Sequence, residues 1–168
     1  MRREASRALA RIANSMAQKY KVLLVSSSGG VLLDLLALGP WWSQQDVTWA
    51  AVEAPDTNTV LMGHTVHWVQ ERGFNRPWGV IPGVFEAYRV LRMVRPQVIV
   101  SAGTGVAIGF FLAARLLGIP TFWLETFNFI DRTAMAGRIC SRLASQIIVQ
   151  RPSMLRAHPD AEIIGELY

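Results

Sequence analysis

KVLLVSSSGGVLLDLLALGP, residues Lys21 to Pro40, is the stretch whose reading decides the fold. Val22 to Ser26 form a short apolar run, Ser27 to Gly30 are small, and from Val31 the apolar residues recur until Pro40 stops them. Strand, tight turn and helix in that order are the opening unit of a doubly wound sheet. The run is apolar on both faces, so both sides of the strand need covering, which is the condition of a parallel sheet between two helical layers.

The same alternation continues outward. Strands are expected at Asp46–Glu53, His64–Val69, Gln97–Ser101, Thr121–Glu125 and Gln146–Gln150, with a short one at Glu162–Ile164. Between them Val84, Tyr88 and Leu91 mark a helix ahead of Pro96, Val106 to Leu117 form one that ends at Gly118, and Met135, Ile139 and Leu143 mark another. No repeat, low-complexity run or domain boundary follows residue 20, so residues 21–168 read as a single Rossmann-like α/β domain. Residues 1–20 read as a basic amphipathic helix, with Leu9, Ile12 and Met16 opposite Arg3, Arg7 and Arg11. Such a helix packs on the domain's own surface or lies in the headgroup layer of an anionic membrane.

Composition narrows the function classes. Of 168 residues, 51% are hydrophobic and 17% charged, so apolar surface is left over for a partner or a lipid. Fifteen of the seventeen cationic residues are arginine and the net charge is +5, which favours phosphates, diphosphates and anionic lipids. The arginines are dispersed and no basic run interleaved with aromatics appears, which argues against a nucleic-acid module. Cys140 is the single cysteine, which excludes an internal disulfide and a cysteine metal cluster, and His64, His67 and His158 lack metal-site spacing. No metal or cofactor is expected. The arginine-bearing start lacks a signal peptide's apolar core, so an intracellular protein is expected. Gln97 to Ala114 is uncharged and near spanning length, but Ser101, Gly103, Thr104, Gly105 and Gly109 divide it into strand, turn and helix.

Two loops carry the candidate chemistry. Ser27, Ser28, Gly29 and Gly30 follow the first strand and open a helix, where backbone N–H groups can cradle an anion. Gly103, Thr104 and Gly105 do the same after the fourth strand, and two such loops at the carboxyl ends of parallel strands converge on one crevice. Both sets also serve simply as tight turns. Glu125 ends the fifth strand, at the same edge, and is the candidate general base; Asp131, in the next loop, reads as a helix cap. Residues 74–85, with Trp78, Ile81 and Phe85, read as an apolar loop punctuated by Pro and Gly, set beside Arg89, Arg92 and Arg95, suited to a membrane or an amphiphilic ligand.

Ser26 to Gly30 (SSSGG), Ser101 to Ile108 (SAGTGVAI), Gly118 to Phe127 (GIPTFWLETF) with Ile130-Asp131, and Ile164 to Leu167 (IGEL) together resemble the PssD-type subunits of bacterial capsule and exopolysaccharide synthesis. The resemblance covers roughly residues 20–168 and extends to the eukaryotic membrane-anchoring subunit of the enzyme that adds the second N-acetylglucosamine to the dolichol-linked oligosaccharide. It implies the N-terminal, acceptor-side half of a GT-B glycosyltransferase similar to MurG but split over two chains, with the UDP-sugar bound mainly by a donor-binding partner subunit. The acceptor would be a lipid-linked saccharide, and the expected location is the cytoplasmic face of the inner membrane, held peripherally. The family loop usually reads Ser-Gly-Gly-His; Val31 stands in the histidine's position here, and Asp34, a turn further on, is an alternative base. A noncatalytic scaffold that activates a partner enzyme, and a free-standing nucleotide-binding Rossmann domain, are the competing expectations.

Overall fold

The computed structural model describes residues 19–71, 77–103, 105–125 and 135–164. Among the described residues seven strands run in the order β1 (Lys21–Ser26), β2 (Asp46–Val52), β3 (Val66–Val69), β4 (Val98–Ser101), β5 (Thr121–Glu125), β6 (Gln146–Val149) and β7 (Glu162–Ile163). Between them lie α1 (Gly30–Ala37), α2 (Gly39–Trp42), α3 (Pro55–Val60), α4 (Pro77–Val94), α5 (Gly105–Leu117) and α6 (Met135–Leu143), with a 3-10 turn at Pro152–Arg156. All pairings are parallel and the sheet order is β3-β2-β1-β4-β5-β6-β7. The expected single α/β domain with a Rossmann-like sheet is what the chain forms.

Alternate residues of each strand enter opposite layers. Leu23, Val25, Ile99 and Trp123 pack with Ala87, Leu91, Phe110, Phe111 and Cys140 from α4, α5 and α6. Val22, Leu24, Val100 and Leu124 pack with Val31, Leu32 and Leu35 of α1 on the other face. Leu23, Leu24, Ile99 and Leu124 have no exposed surface, which explains why these strands read as continuous apolar runs rather than alternating ones. The α4–α5 crossing is close enough that a Cβ on Gly109 would lie 3.0 Å from the Gly83 carbonyl oxygen.

Three departures from the sequence reading have local causes. Pro40 does not merely end a helix: α1 stops at Ala37, and Pro40 sits in the first turn of α2, where its missing N–H has no intrahelical partner to lose. Trp42 then donates its indole N–H to the Leu35 carbonyl at 2.9 Å, stapling α2 under α1. α3 was not expected; Pro55 and Asp56 in its first turn are helix-start signals within a short polar segment. The apolar loop expected over residues 74–85 is, from Pro77 onward, the first half of α4, which carries Pro82 inside it. A proline there removes one hydrogen bond, and the Ala87, Val90, Leu91 and Val94 stripe buried against the sheet holds the helix despite it.

Gln97 to Ala114 is divided between β4 and α5, and among the described residues no helix is long and apolar enough to cross a membrane. The expected helix over residues 1–20, with Leu9, Ile12 and Met16, falls almost wholly outside the described residues, as do Thr104, Asp131 and the side chain of Trp78.

Candidate functional site

β1 and β4 are neighbours, and the sheet grows from them in opposite directions, toward β3 on one side and β7 on the other. Their connections therefore leave the sheet to opposite faces and open a crevice at the carboxyl ends, the usual ligand position in such sheets. Val25 and Ser101 are register partners, so the two glycine-bearing loops leave side by side. The Ser101 hydroxyl donates to the Val25 carbonyl at 2.8 Å and fixes the two strand ends together.

In the β1 loop, Ser26 and Ser27 are buried while Ser28, Gly29 and Gly30 are exposed. Gly29 has φ 77°, in the left-handed region, and space for a Cβ is open around it, so glycine is required there by backbone conformation rather than by crowding. Its carbonyl accepts from the N–H groups of Leu32 and Leu33 at 3.1 and 3.3 Å, anchoring the start of α1. Its own N–H donates to Oδ2 of Asp56 at 2.8 Å. That hydrogen bond is the main reason the Asp56 carboxyl is held below the usual aspartate range. In the β4 loop Gly103 is buried, and Gly105 opens α5.

Glu125 ends β5 at the same edge, one strand beyond β4, and is 5% exposed. Its Oε2 accepts the indole N–H of Trp123 at 2.7 Å and lies 3.7 Å from Nε2 of His158. Trp123 packs in turn against Phe111 in a T-shaped pair, with centroids 6.1 Å apart at 86°. His158 follows the 3-10 turn after β6 and also lines a cavity of about 590 Å³ walled by Arg138, Arg142, Gln146 and Asp160. That cavity lies on the α6–β6 side and not at the glycine loops.

Asp56 and His158 were missed by sequence reasoning. The helix-start pattern at Pro55-Asp56 was the only signal for the first, and nothing local signals the second, which meets Glu125 across 33 positions. Val31, where the resembled family carries histidine, is 8% exposed and packs into the α1 layer. Asp34 is 2% exposed, within the same helix. On α4, Ile81 and Phe85 are 64% and 62% exposed, Tyr88 follows on the same face, and the Arg89 guanidinium lies 5.8 Å from the Phe85 ring centroid. Among the described residues no group of His, Cys, Asp and Glu could hold a metal ion.

No family model matches the chain. Over 89 residues it is 35% identical to the UDP-N-acetylglucosamine–N-acetylmuramyl-(pentapeptide) pyrophosphoryl-undecaprenol N-acetylglucosamine transferase of Xylella fastidiosa, a match covering 53% of this chain and 23% of that protein. The enzyme of the same name from Geobacillus kaustophilus is 30% identical over 95 residues, covering 56% and 26%. Acinetobacter baumannii MurG superimposes with a TM-score of 0.70 at 22% identity, over 86% of this chain and 45% of that one. A UDP-N-acetylglucosamine 2-epimerase from Rickettsia bellii does so with a TM-score of 0.69 at 14% identity, over 89% and 46%. The chain thus spans about half of the structures it resembles, and its matched segment about a quarter of the curated relatives. Its fold is the Rossmann-like α/β fold found in MurG, and its sequence is similar over about half its length to MurG-type N-acetylglucosamine transferases.

Proposed function

We propose that this chain is the acceptor-side half of an inverting, membrane-associated glycosyltransferase, which passes a sugar from a UDP-sugar to a lipid-diphosphate-linked acceptor. The carrying observation is the coincidence of a MurG-like sheet with 35% identity to a transferase whose own name specifies a pyrophosphoryl-undecaprenol acceptor. The donor-binding half is a second chain, as the PssD-type resemblance implies, and the crevice between the β1 and β4 loops faces it.

In the reaction the acceptor hydroxyl oxygen attacks the anomeric carbon from the face opposite UDP, the bond to UDP breaks, and a base takes the hydroxyl proton. Ser27, Ser28, Gly29 and Gly30, with Gly103, Thr104 and Gly105, hold the acceptor. Glu125 is the base or a ligand of the acceptor sugar, and its burial against Trp123 and His158 supports a role as a fixed carboxylate. The exposed Ile81 and Phe85 beside Arg89 support seating on an anionic bilayer, with Trp78 and the helix bearing Leu9, Ile12 and Met16 as further contacts.

A second reading, a noncatalytic scaffold that activates its partner, is favoured by Val31, whose side chain packs in the core where the resembled family has a histidine. One assay separates the alternatives: UDP-sugar turnover on vesicles containing a polyprenyl-diphosphate saccharide, by this chain, by a candidate donor-half chain, and by both. Transfer requiring both is expected. Turnover by this chain alone refutes the two-chain reading, and no turnover by the pair refutes the transferase. A pair that keeps its rate with Glu125→Gln supports the scaffold.

A further inference from the structure

We infer that His158 is the positioning residue for Glu125: its ring N–H and the Trp123 indole together clamp one carboxylate oxygen, so that the other is presented to the acceptor hydroxyl. The inference rests on the acceptor-side reading for the reaction it serves, and on geometry alone for the contact. A base must hold a lone pair within hydrogen-bond reach of the proton it takes, and a carboxyl group anchored by one hydrogen bond still pivots about it. A second donor arriving from another segment stops that motion. The Trp123 indole N–H donates to Oε2 of Glu125 at 2.7 Å, and Nε2 of His158 lies 3.7 Å from the same oxygen. Among the described residues no donor reaches Oε1, which is the atom left for the acceptor.

The chain is built to aim this ring. The β5–β6 register pairs Glu125 with Val149, at the strand end that leads into the turn carrying His158. The His158 N–H donates to the Met154 carbonyl at 3.1 Å, and its own carbonyl accepts from the Ala161 N–H at 3.1 Å, so its backbone is tied on both sides. Pro159 follows and restricts His158 to extended backbone conformations. The side chains of His158 and Glu125 are 13% and 6% exposed, and a carboxylate and an imidazole withdrawn from water in this way are costly unless they serve each other. At 3.7 Å the pair is longer than a hydrogen bond, as contacts in a site without its substrate often are. The ring also walls the cavity of about 590 Å³ on the α6–β6 side, so it is not packed all round and can turn to close that gap.

The test measures kcat and acceptor KM separately in the two-chain transfer assay, with variants that separate the N–H from the bulk of the ring. His158→Gln puts an amide N–H near the place of Nε2, whereas His158→Phe keeps a ring and has no N–H; should the latter fail to fold, His158→Ala replaces it. Positioning predicts that His158→Phe lowers kcat by about ten- to a hundredfold with acceptor KM little changed, and that His158→Gln stays within about threefold of native. A packing role predicts the reverse order, and that order overturns the proposal, as does a kcat that neither variant moves. In a Glu125→Gln background His158→Phe should cost nothing further, because there is no carboxylate left to position; a full additional loss overturns the proposal too. Nitrogen-15 NMR of the labelled full-length chain reads the contact without turnover. The neutral His158 ring should be the Nε2–H tautomer in the native chain and a mixture of tautomers in Glu125→Gln, and a mixture in the native chain sinks the inference. A pair with no turnover refutes the transferase and leaves the tautomer to decide the contact; an active pair indifferent to His158→Phe refutes the positioning role alone.

Discussion

Replacing Glu125 tests the site and the fold together, because its carboxylate is both at the sheet's carboxyl edge and the partner of a buried indole. Trp123 is 2% exposed and its N–H reaches Oε2 of Glu125 at 2.7 Å. A hydrogen bond to a charged group contributes about 1.5–3 kcal/mol and a neutral one about 0.5–1.5 kcal/mol. Glu125→Gln keeps an acceptor and loses the charge, so it should cost about 1 kcal/mol. Glu125→Ala leaves the Trp123 N–H buried without a partner, at about 1–3 kcal/mol, and forfeits side-chain packing besides, for a total of about 2–4 kcal/mol. For a chain of this size about 1 kcal/mol moves Tm by roughly 2–4 °C, so the two variants should melt about 2–4 °C and about 4–16 °C below the native protein. Urea and thermal unfolding followed by circular dichroism measure both. Equal losses for Gln and Ala would show that the indole bond does not hold Glu125 in place. In the two-chain transfer assay Glu125→Gln should lower turnover by about two to four orders of magnitude, far beyond what a 1 kcal/mol change in stability produces. An unchanged rate removes Glu125 from the chemistry.

Gly109→Ala should gain about 1 kcal/mol of helix propensity and lose about 1–3 kcal/mol to its contact with the Gly83 backbone, for a net loss of about 0–2 kcal/mol in urea unfolding; a variant stabilised by the full propensity gain would mean that α4 and α5 do not approach so closely. Burial pushes the Cys140 thiol up to about 12, so it should resist alkylation in the native chain and react only on unfolding. An unfolded thiol ionises near ~8.5, so the stability that Cys140 contributes is intact below that pH and is lost as pH rises toward about 12. Cys140→Ala should flatten that alkaline decline, and an unchanged slope would assign it to other groups. Anionic liposomes should float the native protein less completely as salt rises, since each basic residue near the surface contributes about 1 kcal/mol that salt screens. Ile81→Ser with Phe85→Ser, combined with deletion of residues 1–18, should abolish flotation; native protein remaining at the bottom of the gradient refutes membrane seating.

What the sequence by itself determined was the order and type of the central elements. Parallel strands buried on both faces must be apolar throughout, and the turns between them must be small, so β1, β4, β5 and α5 are legible within a residue or two. The β1 and β4 loops and Glu125 were legible for the same reason, because in a parallel sheet every strand's carboxyl end falls on one edge. Punctuation misled where packing overrides it: Pro82 and the glycines around it suggest a loop, yet the buried stripe on the following turns carries α4 through them. Only the tertiary structure brought Asp56 to Gly29, across 27 positions, and His158 to Glu125. Neither contact leaves a periodic or spacing signal, because each joins segments at the ends of different strands, whose proximity is decided by sheet order. That order also assigned the crevice its character, since whether an N–H in a glycine turn awaits a ligand or is already bonded depends on which side chain a distant segment delivers to it.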